Sequence, residues 1–191
     1  MEKEEIIVKI KKAFEKEQYP GDKFIVYDNT GYDLECVDIS MAFKGKQWNN
    51  LHDNFLFEER DSIYFFSKEG FKYYLPAYMI VAVKEFDKMD TLPDIVIHKL
   101  TLPTEIDTVL MANGIKQYRI DKQFSSIDFN KFLQNSLKVK NKEIHNFILY
   151  MNEFNSIQKT AIKLFLEYMI SYSEELIYDP YIALERYWFQ F

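Results

Sequence analysis

The chain has 191 residues, 48% of them hydrophobic and 17% aromatic, with 14 Tyr, 17 Phe and a formal net charge of -6. That apolar content repays the ordering entropy of a folded core, which excludes a disordered chain. Five Gly and five Pro are too few for the many tight turns of a sandwich or barrel, and the acidic balance disfavours a generic nucleic-acid binder.

The expectation is one compact, mainly α, multi-helix domain over residues 1–191, with a Pro-kinked central helix and room for one short β element. Lys3 to Lys16 places Ile6, Ile7, Ile10, Ala13 and Phe14 at helical spacing, and Pro20-Gly21 stops that run. After the short apolar stretch Phe24 to Tyr27 and a turn at Asn29-Thr30-Gly31, Cys36, Ile39 and Phe43 predict a second helix ending near Gly45. Trp48 lies just beyond it. The segment from Asn50 to Phe66 is too densely apolar to assign between helix and extended chain.

Ser67 then reads as an N-cap, with Phe66 and Phe71 placed for a hydrophobic staple and Glu69 at the positive end of the helix dipole. Asp87 to Pro103 carries two prolines and an alternating Ile95/Ile97, which reads as a loop or edge strand and the one candidate hinge. Ile106, Val109 and Leu110 predict a short helix closed by Asn113-Gly114. Another is predicted after Ser125-Ser126 through Phe129, Phe132, Leu133 and Leu137, and a further one through Ile144, Phe147, Ile148 and Met151. Asn155 with Gln158 is a capping-box pattern ahead of a face of Ile157, Ala161, Leu164, Phe165, Tyr168 and Tyr172. Asp179-Pro180 opens a last helix with Tyr181, Leu184, Trp188 and Phe191 on one face.

Pro76 sits inside the third helix, yet Phe71, Tyr74, Leu75, Tyr78, Met79, Ala82 and Val83 keep one apolar phase across it. An interior proline costs about 3 kcal/mol, while each large buried side chain contributes roughly 1.5 to 3 kcal/mol, so packing outweighs the penalty. The proline leaves the Lys72 carbonyl without its intrahelical donor. Two roles stay open: a kink that wraps the helix around an aromatic core, or a polar notch that accepts a donor from a ligand. The notch would be built from Lys72, Tyr73, Pro76 and Trp48.

The stretch FFSKEGFKYYLPAYM, with Trp48 before it and SIQKTAIKLFLEYM and Tyr187-Trp188 after it, resembles a family of bacterial proteins catalogued as a domain of unknown function. The shared features are a Phe-x-x-Tyr-Leu-Pro-Ala-Tyr type segment and a later helix with Gln-x-x-Ala-x-x-x-Phe-Leu. The resemblance implies a fold and a bacterial, cytoplasmic origin, and it supplies no catalytic residues.

Cys36 would need a base from His52, His98 or His145 to act as a nucleophile, and its place on an apolar stripe favours a core role. The three histidines lack metal-ligand spacing, and Glu35 with Asp38 reads as a solvated face before a catalytic pair. No phosphate loop or nucleophile elbow is present, so no cofactor is expected. The N-terminus is charged throughout with no uninterrupted apolar stretch of a secretory leader, no later segment approaches the roughly 18 uncharged apolar residues of a membrane span, and the single Cys36 fits a reducing compartment, which together predict a cytoplasmic protein. The segment Ile115 to Lys142 holds Lys116, Arg119, Lys122, Lys131, Lys138, Lys140 and Lys142 against Asp121 and Asp128, a local +5 that leaves -11 for the remainder. An acidic, tyrosine-rich remainder suits a non-catalytic binding protein, an immunity-type or regulatory partner of a basic protein. The alternative is a small enzyme with a cleft near the Pro76 kink.

Overall fold

The computed structural model describes residues 2–120 and 128–191, so the predicted start at Ser125-Ser126 and the charges of Asp121 and Lys122 lie outside the described residues. The fold is mainly α. Among the described residues the helices are α1 (Lys3–Phe14), α2 (Leu34–Phe43), α3 (Asp53–Glu58), α4 (Lys68–Lys84), α5 (Leu92–Leu100), α6 (Glu105–Gln117), α7 (Phe129–Asn152), α8 (Ser156–Met169) and α9 (Pro180–Arg186). Among the same residues the β structure is a single antiparallel bridge between Val26 and Phe66. The chain divides into two compact units, one of Met1–Thr101 with Asn152–Phe191 and one of Leu102–Met151.

The first unit is built around α4. Ser67 caps it by accepting the Gly70 N–H at 2.9 Å, and the helix then runs unbroken through Pro76. The expected single stripe understates its burial. Phe71, Tyr73, Tyr74, Leu75, Pro76, Ala77, Tyr78, Met79, Val81, Ala82 and Val83 are all buried, the pattern of a helix enclosed on every side. Helix α1 packs on it through Ile6, Ile10 and Phe14 and also lies along α8, while α5 and the 3-10 turn Arg60–Tyr64 cover another flank.

Burying three tyrosines in one helix requires partners for their hydroxyls. Tyr73 donates to Gln47 Oε1 at 2.6 Å, Tyr78 to the Glu59 carbonyl at 2.6 Å, and Tyr74 to the Phe43 and Lys46 carbonyls at 3.1 and 3.0 Å. These bonds fix the end of α2 and the turn after α3 to the central helix.

Several expectations are corrected. The loop or edge strand at Asp87 to Pro103 contains α5, with Pro93 in its first turn, where the missing N–H costs nothing. Leu92, Val96 and Leu100 recur at helical spacing and are buried, which overrides the local alternation of Ile95 and Ile97. The undecided segment before Phe66 is helix α3 followed by the 3-10 turn. On α8 the buried face is Gln158, Ala161, Ile162, Phe165, Leu166 and Met169, so Ile157 is 70% exposed and Tyr168 only half-buried. That rotation follows from α1 and α9 both packing on α8. Helix α9 ends at Arg186, short of the predicted aromatic face; Tyr181 is exposed, and the chain turns so that Trp188 is buried with its Nε1 donating to the Leu100 carbonyl at 2.7 Å.

In the second unit, α6 begins with Asp107 accepting from the Thr104 N–H at 2.8 Å and hydroxyl at 3.1 Å. It runs through Asn113-Gly114 to Gln117 instead of closing there. Residues 129–152 form one helix, not two, because no glycine or proline interrupts them.

Tyr78→Phe removes the only side-chain atom that donates to the Glu59 carbonyl among these tyrosine bonds. Urea titration is expected to show a loss of about 0.5 to 1.5 kcal/mol, the net worth of one hydrogen bond, since the Glu59 carbonyl keeps the Ser62 N–H at 3.1 Å. An unchanged midpoint would mean that the hydroxyl contributes nothing to the core.

Candidate protein-binding surface

The residues singled out around the proline are placed inside the first unit. Tyr73 and Trp48 are 2% and 6% exposed, Pro76 is buried, and the turn Trp48–Asn50 packs against α4. Lys72 is half-buried, and its Nζ lies 3.2 Å from Glu17 Oε1, which also accepts from Gln158 Nε2 at 2.6 Å. This carboxylate therefore ties the segment after α1 to α4 and α8.

A solvent-facing surface arises instead between Phe24 and Phe43. Its backbone is anchored on α4: the Tyr27 N–H donates to the Phe65 carbonyl at 2.9 Å, the Ser67 N–H to the Ile25 carbonyl at 3.0 Å, and the Ser67 hydroxyl to the Phe24 carbonyl. Ile25 and Val26 are buried as its plugs, and Tyr27 stacks on Phe65. Local bonds then stiffen the loop. Asp28 Oδ1 accepts from the Thr30 N–H at 2.8 Å and hydroxyl at 2.6 Å. Asp33 caps α2 through the Cys36 N–H at 3.2 Å and accepts the Tyr27 hydroxyl at 2.8 Å.

Those bonds also set the charge. The Tyr27 hydroxyl and the Cys36 N–H hold the Asp33 carboxyl below its ordinary range, and Thr30 does the same for Asp28. Conversely, the bond to Asp33 pushes the Tyr27 phenol well up. With Glu35 and Asp38 exposed on α2, the stretch 24–43 carries four carboxylates and no lysine or arginine. Among them stand Tyr32, 92% exposed, and Leu34, 73% exposed, with Phe24, Tyr27 and Met41 also open to solvent. A cleft of about 290 Å³ opens between the loop and α2, lined by Asp22, Asp28, Lys44, Val26, Met41 and Cys36.

The groups that bear on the Cys36 thiol are Tyr27, Asp28 and Asp33, and burial is the largest influence, pushing the thiol up from its ordinary value. His98 is engaged elsewhere: its Nδ1 lies 2.9 Å from the Tyr64 hydroxyl and its ring stacks on Tyr178. Beside it Lys99 Nζ lies over the Tyr64 and Phe71 rings, and burial lowers its ammonium to about 8. The buried Asp94 accepts from the Ile177 and Tyr178 N–H groups at 2.6 and 2.9 Å, which pins the approach to α9. No group of three His, Cys, Asp or Glu able to hold a metal ion occurs among the described residues. No described helix is long and apolar enough to cross a membrane.

In the basic segment Lys116 covers the Phe129 ring and Lys140 pairs with Glu143 at 2.5 Å, while Arg119, Lys131, Lys138 and Lys142 are exposed.

The molecule is thus a small helical protein that presents a stiffened acidic and aromatic face. Residues 2–113 match the model of a family of unknown function, DUF6714, and the chain belongs to that family. No curated protein and no solved structure matches it. The acidic face and α4 fall inside the matched span, whereas α7, α8 and α9 fall outside it.

Cys36 is expected to react with iodoacetamide at neutral pH at least about 100-fold more slowly in the folded chain than in urea, because the thiol is buried and its pKa raised. Equal labelling rates, read by mass spectrometry, would contradict the burial and the core role together.

Proposed function

We propose that this is a non-catalytic binding protein of the cytoplasm, an immunity-type or regulatory partner of a basic protein, which it meets with the face between Phe24 and Phe43. The observation that carries this is the juxtaposition of four carboxylates with exposed Tyr32, Leu34 and Met41 on a backbone already held rigid. Carboxylates speed encounter with a basic surface, and aromatic anchors supply hot-spot contacts once water is expelled. A loop fixed by its own hydrogen bonds loses little further entropy on docking. A small enzyme working beside Pro76 has less support, since the ring is buried and Lys72 is tied to Glu17.

Quantitative affinity capture with the full chain tests the proposal. Wild type and a Tyr32→Ser/Leu34→Ser/Glu35→Lys/Asp38→Lys variant are compared at low and moderate salt. The expected result is a basic protein retained by wild type, released as ionic strength rises and not retained by the variant. Identical retention by both chains, or capture of partners that ignore salt, would overturn it.

A further inference from the structure

Helix α7 has two unlike sides. Leu133, Leu137, Ile144, Phe147 and Met151 recur at helical spacing and are buried or half-buried. On the opposite side Lys131, Lys138, Lys142 and His145 lie within about 40° of one line along the helix, and all four are exposed.

The row keeps its charge because the nearest carboxylates are engaged elsewhere. Asp128 Oδ1 accepts the N–H groups of Asn130 and Lys131, both at 3.1 Å, at the start of the helix. Glu143 pairs with Lys140 at 2.5 Å, away from the row. Among the described residues no carboxylate pairs with Lys131, Lys138 or Lys142. Three ammonium groups of one sign along roughly 16 Å of helix therefore stand ready for a partner of opposite charge.

The chain's own charge narrows the occupant. A nucleic acid or an anionic membrane approaching this row also meets the -11 of the rest of the chain, which repels it. A second copy of the chain meets the same -11 as an attraction. Its acidic face has the complementary pattern: α2 exposes Glu35 and Asp38 between Leu34 and Met41, and neither carboxylate has an ion-pair partner among the described residues. On α7 the order is inverted, with exposed Val139 between Lys138 and Lys142. Two such helices side by side set Val139 on Leu34 and Met41 while each ammonium meets a carboxylate. We propose that the basic row of α7 docks on the face between Phe24 and Phe43 of a second copy, so that the protein masks its own acidic face until a basic target displaces the copy. This rests on the reading of that face as a binding surface. Each copy carries one row and one face, so the contact joins unlike patches, as in a head-to-tail assembly.

Sedimentation equilibrium of the full chain tests it. Wild type is expected to self-associate at low salt and to dissociate as ionic strength rises. Lys138→Glu/Lys142→Glu and Glu35→Lys/Asp38→Lys should each weaken self-association roughly tenfold or more. An equimolar mixture of the two variants should associate, because the reversed row then meets the reversed face. One chain carrying all four changes has the net charge of wild type and should self-associate again. Lys11→Glu/Lys12→Glu, the same change in net charge on exposed positions of α1, should behave as wild type, with thermal unfolding confirming that every variant is native. A wild type that stays monomeric at low salt at every concentration, association untouched by either reversal, or a mixture that fails to associate would overturn the proposal. So would a monomeric wild type that binds duplex DNA or anionic vesicles through Lys138 and Lys142. Affinity capture with the same variants separates this inference from the reading beneath it: a monomeric chain that still retains a basic protein through Glu35 and Asp38 overturns the self-docking alone.

Discussion

At Gly70 the first turn of α4 runs against the Ile25 carbonyl so closely that a Cβ would sit 2.0 Å from the oxygen. No side chain fits there, and the contact lets Ser67 cap the helix while binding the Phe24 and Ile25 backbone. The rest of the first unit depends on this junction. It joins the most enclosed helix of the protein to the loop that carries the acidic face, and it places Phe66 against Phe43 and Tyr74 in the aromatic core.

From there the division of labour follows from burial. Helix α4 is lined by residues whose polar atoms find partners inside the unit, so the segment with the most chemistry in its side chains has little left to offer solvent. The adjoining loop has the opposite character. Its backbone is secured at Ile25 and Val26, Asp28 and Asp33 brace it from within, and Glu35, Asp38 and Tyr32 are exposed. A rigid support beneath an exposed, charged and aromatic surface is the arrangement recognition favours, because the ordering cost is met during folding.

Much of the architecture was legible in the sequence because caps and periodicity act locally. Ser67, Asn155 with Gln158, and Asp179-Pro180 each open a helix where their chemistry predicts, and Cys36, Ile39 and Phe43 form the buried face of α2. What failed depended on neighbours. Ile95 and Ile97 alternate as in a strand, yet α5 forms because Leu92, Val96 and Leu100 are buried in the first unit. Ile157 looks like core by period but is turned outward because two helices set the buried side of α8. The proline drew attention to Lys72, Tyr73, Pro76 and Trp48, whereas the exposed surface lies upstream. Its signal was present as the absence of lysine and arginine from 24–43 together with Tyr32, Leu34 and Met41 off the stripe. That Gly70 marks a backbone contact 45 residues away in sequence could not be read locally.

Gly70→Ala tests the junction most directly, because two physical effects predict opposite signs. In an open helix the change stabilises by about 1 kcal/mol through propensity. Here the added methyl meets a backbone carbonyl, and the account predicts a net loss of about 1 to 3 kcal/mol in denaturant unfolding, with faster amide exchange at Tyr27 and Ser67 as their bonds open. A Gly70→Ala protein as stable as wild type or more so, with Tyr27 and Ser67 still protected, would contradict the claim that this contact holds the acidic face on α4.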